Sequence, residues 1–412
     1  MSSSLLTSIG MASLGGTILG LSTCAYLALV GKVSGCSGTL RGPYLQLTCQ
    51  TNSNAYHIVY LGGLMLGGAI MQYCYPQGYE DGGYRADLMI FSGILVGIGT
   101  TLGHGCTSGH GLCGLARWSK RSLVAVCSFF MTGVVVASAL YPALKSEWEP
   151  QSPPSATAPH VSLLYAVFGV SFVFISYGAY ILKELAIIAS ILLCSLAFAI
   201  GLVLSGMVKP TKVHGFLAIN KNWDPSLLFV FFSGLTVNLI LWPFIMKKAR
   251  PAACPAFDLP QATEIKAELV YGGVIFGLGW ALGGVCPGPS IVGLSGEYGM
   301  SMLIWMGGFF IGAQVAVVVQ KNWLLRGSKS GTEEDAMQSV RHTDVIVDCD
   351  DDAKDNHETK SLGAGSPPVE HSPAMLKKIA TVCADEPNAS ANPLDIGVSH
   401  GGVGKGHNPV VD

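Results

Sequence analysis

Charge is scarce in this chain. Only 12% of its 412 residues are Asp, Glu, Lys or Arg, while 50% are hydrophobic. Soluble domains carry about 25% charged residues, so an ordinary soluble fold is excluded. No basic stripe is present and the formal net charge is −2, which leaves no electrostatic footprint for nucleic acid. A disulfide framework is missing too. The 12 cysteines are scattered, and several (Cys24, Cys127, Cys194) fall inside apolar runs, where they read as small buried hydrophobes. No basic flank precedes the first apolar stretch, which has full spanning length. It therefore reads as a membrane span and not as a cleavable leader. No soluble catalytic domain is apparent.

What the chain has is long apolar runs and 52 glycines. The runs fall near 9–31, 55–75, 88–105, 121–141, 161–182, 185–207, 225–246, 266–284 and 299–320, most of them close to the ~20 residues that cross a bilayer. Short pieces at 109–117 and 288–297 follow the third and eighth runs and read as half-helices. The expected fold is an all-α polytopic membrane protein with about nine transmembrane helices, and the lipid bilayer is its first partner. From 325 the chain turns acidic and Ser/Gly/Pro-rich, with DCDDDAKD at 348–355. Such a segment cannot bury enough apolar surface to offset its ordering entropy and is expected to be disordered.

Internal repetition organises the rest. Residues 91–137 align with 271–316, Asn54–Cys74 with Asp224–Phe244, and the first run plus GKVSGCSG with 185–208 plus LSGMVKP. The segments are a first repeat at 1–141, a polar loop and joining helix at 142–184, a second repeat at 185–324 and a tail at 325–412. Basic residues test whether the broken runs cross fully. If they do, about 13 Lys and Arg, including Lys32, Arg117, Lys120, Lys247, Lys248 and Lys266, share one side against about 5. If they turn back, the count is about 9 against 9. Full crossing fits the positive-inside bias. It puts the N-terminus outside, the C-terminus in the cytoplasm and the two repeats in inverted topology, probing a site near the midplane. The plasma membrane is the expected location.

The chemistry concentrates where the repeats break. Gly103-His104-Gly105-Cys106-Thr107-Ser108-Gly109-His110 recurs as Gly283-Gly284-Val285-Cys286-Pro287-Gly288-Pro289. A helix that unwinds inside a membrane is tolerated where it lines a cavity or pathway. Each half-helix N-terminus offers free N–H groups that favour anions, and each has a thiol beside it. A neutral S–H is a weak donor suited to a soft sulfur-containing anion. The plainer reading is that Cys106 and Cys286 are small packing residues at a helix crossing. Thr107, Ser108 and Ser290 follow the two cysteines, and His104 and His110 either bind an anion or cap helices. Cys36 is a third thiol candidate. His104, Cys106, His110 and Cys113 resemble a metal set, but the second copy retains only its cysteine, so neither a metal nor another cofactor is expected. Arg117, Lys120 and Arg121 read as a topology anchor or an exit vestibule. Lys209 and Lys212 lie against the charge rule and would draw anions to the outer mouth. Trp280 and Tyr298 read as packing or interface aromatics.

At these residues the chain resembles the YeeE/YedE sulfur-transport family. The blocks that carry the resemblance are GTTLGHGCTSGHGLCGLARWSKRSLVAVCSFFMTG (99–133), LVLSGMVKPTKVHGFLAINKNWDPSLLFVFFSGL (202–235) and GWALGGVCPGPSIVGL (279–294). The similarity covers most of 10–320 and excludes the tail. It implies two halves fused in one chain, and a transporter that takes up thiosulfate or a related sulfur anion, with Cys106 and Cys286 on its path. Cys36 has no equally clear match. A cytosolic sulfur-accepting protein would be the receiving partner. Two other functions stay open: a membrane sulfurtransferase carrying a persulfide on Cys106, and a channel for another small solute.

Overall fold

The computed structural model describes residues 3–49, 52–149, 158–221 and 223–327. The expected disordered tail lies outside the described residues from 328 onward, as does the middle of the 142–160 loop. The described chain is helical: α1 Ser3–Val30, α2 Cys36–Cys49, α3 Asn52–Cys74, α4 Ala86–Leu102, a π-helix Thr107–Gly114, α5 Lys120–Trp148, α6 Ala158–Leu182, α7 Leu185–Ser205, α8 Pro210–Leu217, α9 Ser226–Met246, α10 Ala267–Gly283, α11 Pro287–Gly293 and α12 Gly299–Gly327. Among the described residues, 7 helices are long and apolar enough to cross a membrane, and the bent pair α4 plus π-helix makes an eighth. In α6 the described apolar stretch, Ala166–Leu182, is shorter than these.

Helix contacts come in equivalent pairs, as two repeats related by a pseudo-two-fold axis require. Helix α1 packs on α7, and α4 packs on α10. The contact of α1 with α9 has its mate in α7 with α3, and α4 with α12 is matched by α10 with α5. The broken pieces follow suit: the π-helix touches α1, α5 and α9, and α11 touches α7, α12 and α3. The joining helix α6 packs mainly on α3.

The backbone repeats as well. Helix α1 ends at Gly31 (φ +79°) and α7 at Gly206 (φ +75°), both in the left-handed conformation that closes a helix C-terminus. Where α10 ends at Gly284 (φ +64°), the first repeat has His104 (φ +54°). A non-glycine residue there costs about 1 kcal/mol or more. Close crossings depend on small residues, because lipid supplies no hydrophobic drive between helices. A Cβ at Gly97 would overlap the Phe309 carbonyl, and one at Gly99 would overlap the Phe276 amide. Buried hydroxyls add cross-helix bonds: Ser92 donates to the Gly279 carbonyl at 2.9 Å, and Ser22 donates to the Cys194 carbonyl at 2.7 Å.

Polar contacts sort onto two opposite faces. On one, Lys32 pairs with Asp258 at 2.7 Å and Arg117 donates to the Pro260 carbonyl at 3.2 Å. On the other, Arg85 pairs with Glu147 at 2.7 Å, Lys209 donates to the Gln77 carbonyl at 2.8 Å and Lys212 to Ser8 at 3.1 Å. Arg85 precedes α4 and Arg117 follows the π-helix, so the bent pair runs from one of these faces to the other.

Three local details differ from the sequence reading. The half-helices sit at 107–114 and 287–293, two residues or less from the cysteines, because Cys106 and Cys286 are themselves the N-caps. Short helices α2 and α8 occupy segments outside the apolar runs: α2 carries Pro43 inside it, and α8 has only 8 residues. Finally, α5 continues through Pro142 to Trp148, where Lys145 in its last turn suits the helix dipole.

Candidate functional site

Cys106 and Cys286 adopt the same local structure. Each is an N-cap with extended backbone, φ −133° and −105° respectively. Their carbonyls accept from the amides four residues on, His110 at 2.9 Å and Ser290 at 3.0 Å. Neither side chain makes a capping hydrogen bond. N-caps are usually Ser, Thr, Asp or Asn because their oxygen accepts from a free helix amide. Cysteine in both caps forgoes that bond and leaves its sulfur to other contacts.

Those contacts tie the two breaks together. Cys106 Sγ lies 3.3 Å from Ser108 Oγ, and Thr107 Oγ1 donates to Cys286 Sγ at 3.8 Å. Ser108 also accepts from the Cys36 amide at 3.3 Å, at the start of α2. On the other side Cys36 Sγ meets Gly288, where an added Cβ would stand 3.0 Å from it. Cys36, Cys106 and Cys286 are each only 2% exposed, and all three line one cavity of about 270 Å³. A cavity this size holds several waters or a small anion.

Thr107, Ser108, Pro287, Gly288 and Pro289 complete the polar end of the wall. The remainder is apolar and aromatic: Phe129 and Phe130 from α5, Phe198 and Leu202 from α7, Phe216 from α8, Leu227 and Phe231 from α9, Trp280 from α10. Among the described residues that line it there is no Lys, Arg, Asp, Glu or His. The end of α7, helix α8 and the start of α9 bound the cavity, so it lies in the half of the protein nearer Arg85 and Lys209. A separate buried cluster of Cys24, Leu27, Cys113, Ala116, Trp242 and Ile245 fills the opposite half near the ends of α1 and α9. Asn238 bridges helices there, accepting from Thr23 and Cys24 at 3.0 Å each.

The π-helix has a local cause. Leu115 N–H reaches back to the His110 carbonyl, one residue beyond the α-helical partner. Such wider turns recur at functional sites. Both ring nitrogens of His110 are engaged, with Ser122 Oγ and the Gly103 carbonyl at 3.1 Å each. His110 therefore closes the end of α4 and does not line the cavity. His104 is exposed at the left-handed corner, and Ser290 is fully buried, donating to the Pro287 carbonyl at 2.8 Å within α11. The structure thus brings Cys36, Cys106, Cys286, Thr107 and Ser108 to one cavity and places His104, His110 and Ser290 away from its wall. Among the described residues no 3 His, Cys, Asp or Glu side chains gather where they could hold a metal ion. Tyr298 is a packing residue whose hydroxyl donates to the Val208 carbonyl at 2.7 Å.

Trp280 lines the cavity, a role that its apolar helix conceals. Its indole carries a signal visible only in three dimensions, the absence of any acceptor for Nε1–H.

Known proteins resemble this chain in part. Residues 185–326, α7 through α12, match a family of unknown function (DUF6691). A probable transporter of Xylella fastidiosa strain Temecula1 is 41% identical over 113 residues, 27% of this chain and 76% of the relative. A probable transporter of Xylella fastidiosa strain 9a5c is 39% identical over 127 residues, 30% of this chain and 90% of the relative. Each relative thus corresponds to only part of this longer chain, yet most of each relative's own length is covered. With two breaks of one geometry, a shared cavity and these identities together, the chain belongs to the family that these probable transporters represent.

Proposed function

We propose that the protein carries thiosulfate or a related sulfur oxyanion across the membrane, into the cytoplasm. The observation that carries this reading is the convergence of Cys36, Cys106 and Cys286, from three separate elements, on one cavity without charged side chains. A dianion entering such a cavity meets soft S–H donors, the Ser108 and Thr107 hydroxyls and the amides that open the π-helix. These replace part of its hydration. No fixed cation holds the ion, so it binds loosely enough to leave, as conduction requires. The thiols act in the neutral form, because thiolates would repel the ion. The YeeE/YedE resemblance of the two break motifs supports the same substrate class.

The face bearing Lys32 and Arg117 is assigned to the cytoplasm by the positive-inside bias. The cavity then opens toward the outside, with Lys209 and Lys212 near its mouth. The cluster around Cys113 and Trp242 is the inner barrier that must open for release to a cytosolic sulfur acceptor. Uptake of labelled thiosulfate into proteoliposomes, with sulfate as competitor, tests the reading. Accumulation preferring thiosulfate supports it. Absence of uptake, with persulfide sulfur found on Cys106 by mass spectrometry, would replace it with the sulfurtransferase reading.

A further inference from the structure

Among the described residues, Trp280 is the one cavity-lining residue whose buried polar atom lacks a partner. The residue is 5% exposed. A buried indole N–H almost always finds an acceptor, and leaving it without one carries the full desolvation penalty of the group. Such an orphan calls for an explanation.

The packing around the ring occupies its Cε3 edge. Phe129 and Phe276 flank the indole with ring centroids at 6.2 Å each. The Cε3 edge faces Gly133 of α5, where an added Cβ would come within 3.3 Å. In an indole the pyrrole N–H lies on the other side of the ring from Cε3, so the donor is turned away from that contact. Trp280 stands where the first repeat has Thr100. Thr100 Oγ1 donates to the Val96 carbonyl of its own helix at 2.8 Å and needs nothing else. The second repeat thus replaces a self-satisfied hydroxyl with a larger donor that its own fold does not satisfy. It does so within two turns of Cys286, on the wall of the cavity.

We infer that the Trp280 Nε1–H is an anion-binding donor, completed by an oxyanion oxygen when substrate occupies the cavity. This rests on the transport reading and adds a division of labour within the site. The thiols and hydroxyls at the breaks receive the sulfur end of the ion, and the indole receives an oxygen. A neutral donor suits this task because it adds binding without a charge that would trap the ion.

The test compares the full-length wild-type protein with Trp280→Phe in proteoliposomes, over thiosulfate, sulfite and sulfate. The expected result is a half-saturation concentration raised about tenfold for thiosulfate, the size of one hydrogen bond to an ion, with the maximal rate per inserted molecule retained. Thiosulfate should also change the tryptophan fluorescence of the wild type and not that of the variant. Replacing the Trp280 indole by benzothiophene, which exchanges only the N–H for sulfur and keeps the ring shape, should reproduce the defect if Trp280→Phe inserts poorly. Unchanged half-saturation in the benzothiophene protein would overturn the inference and leave thiosulfate transport standing. A wild type that moves none of the three anions would overturn both.

Discussion

Thr107 of the first break donates its hydroxyl hydrogen to Cys286 of the second at 3.8 Å. This contact joins the two broken segments directly. Each thiol sits beside a hydroxyl supplied by the π-helix, Cys106 beside Ser108 and Cys286 beside Thr107. The first break furnishes both hydroxyls, since its mate opens with Pro287 and Gly288 instead. The site is thus symmetric in its sulfurs and asymmetric in its oxygens.

Removing the sulfurs should therefore disable transport without unfolding the protein. Cys106→Ala and Cys286→Ala each remove a side chain that caps no helix. We expect each to lower uptake at subsaturating thiosulfate by about tenfold or more, the worth of a hydrogen bond to an ion. Membrane abundance and melting temperature should change little. Wild-type uptake by the double variant would exclude a role for the thiols.

Impermeant thiol labelling checks the two faces. Asp81 belongs to the Arg85–Lys209 face, and Gln261 to the Lys32–Arg117 face; both are exposed. In a background lacking Cys74 and Cys127, which are exposed, and Cys49, Cys349 and Cys383, Asp81→Cys should label from outside intact cells and Gln261→Cys only after permeabilisation. Labelling of both from outside would contradict full crossing by the broken helix, and the reverse pattern would invert the assigned orientation.

Two adjacent glycines on α12 make a paired packing test. A Cβ at Gly308 would overlap the Ile90 carbonyl of α4, whereas Gly307 has nothing within 4 Å. Gly308→Ala should destabilise by about 1–3 kcal/mol, as overpacking does, and shift the detergent melting curve down. Gly307→Ala should be neutral or slightly stabilising, since alanine is the better helix former. Equal effects would mean that α4 and α12 do not cross at this point.

Glu80 supplies a pH dependence. It lies in the loop between α3 and α4, accepting from the Tyr84 and Thr211 hydroxyls. Burial is the largest influence on its carboxyl and raises it from 4.5 to about 7, opposed by the Thr211 bond and the Lys209 charge. A carboxyl raised on folding stabilises fully below its unfolded pKa, and that contribution is lost as pH rises through the folded value. Thermal stability should therefore fall between about pH 4.5 and pH 7 through this group. Glu80→Gln should flatten that part of the curve when both proteins are melted across the range. An unchanged profile in the variant would remove Glu80 as the source.

Much of this protein is legible in its sequence because a bilayer imposes simple requirements. Twenty-residue apolar runs must be helices, since no other open structure satisfies backbone groups in lipid. The recurrence of Cys106 at Cys286 marks the breaks, and the Lys and Arg distribution favours a first broken helix that crosses. Lys32–Asp258 and Arg117–Pro260 on one face agree with it. The apolar runs do not include α2, which carries Pro43 inside it, or α8, which has only 8 residues. Nor can sequence distinguish His110, spent on Gly103 and Ser122, from a histidine free to meet an anion, because the residue type is the same in either role. The gathering of Cys36 with Cys106 and Cys286 arises from helices that meet far apart along the chain, with Gly288 leaving room for the Cys36 sulfur. The unpaired donor of Trp280 is likewise a property of its surroundings. Residue type announces a hydrogen-bond donor, and only tertiary packing decides whether the protein itself provides the acceptor.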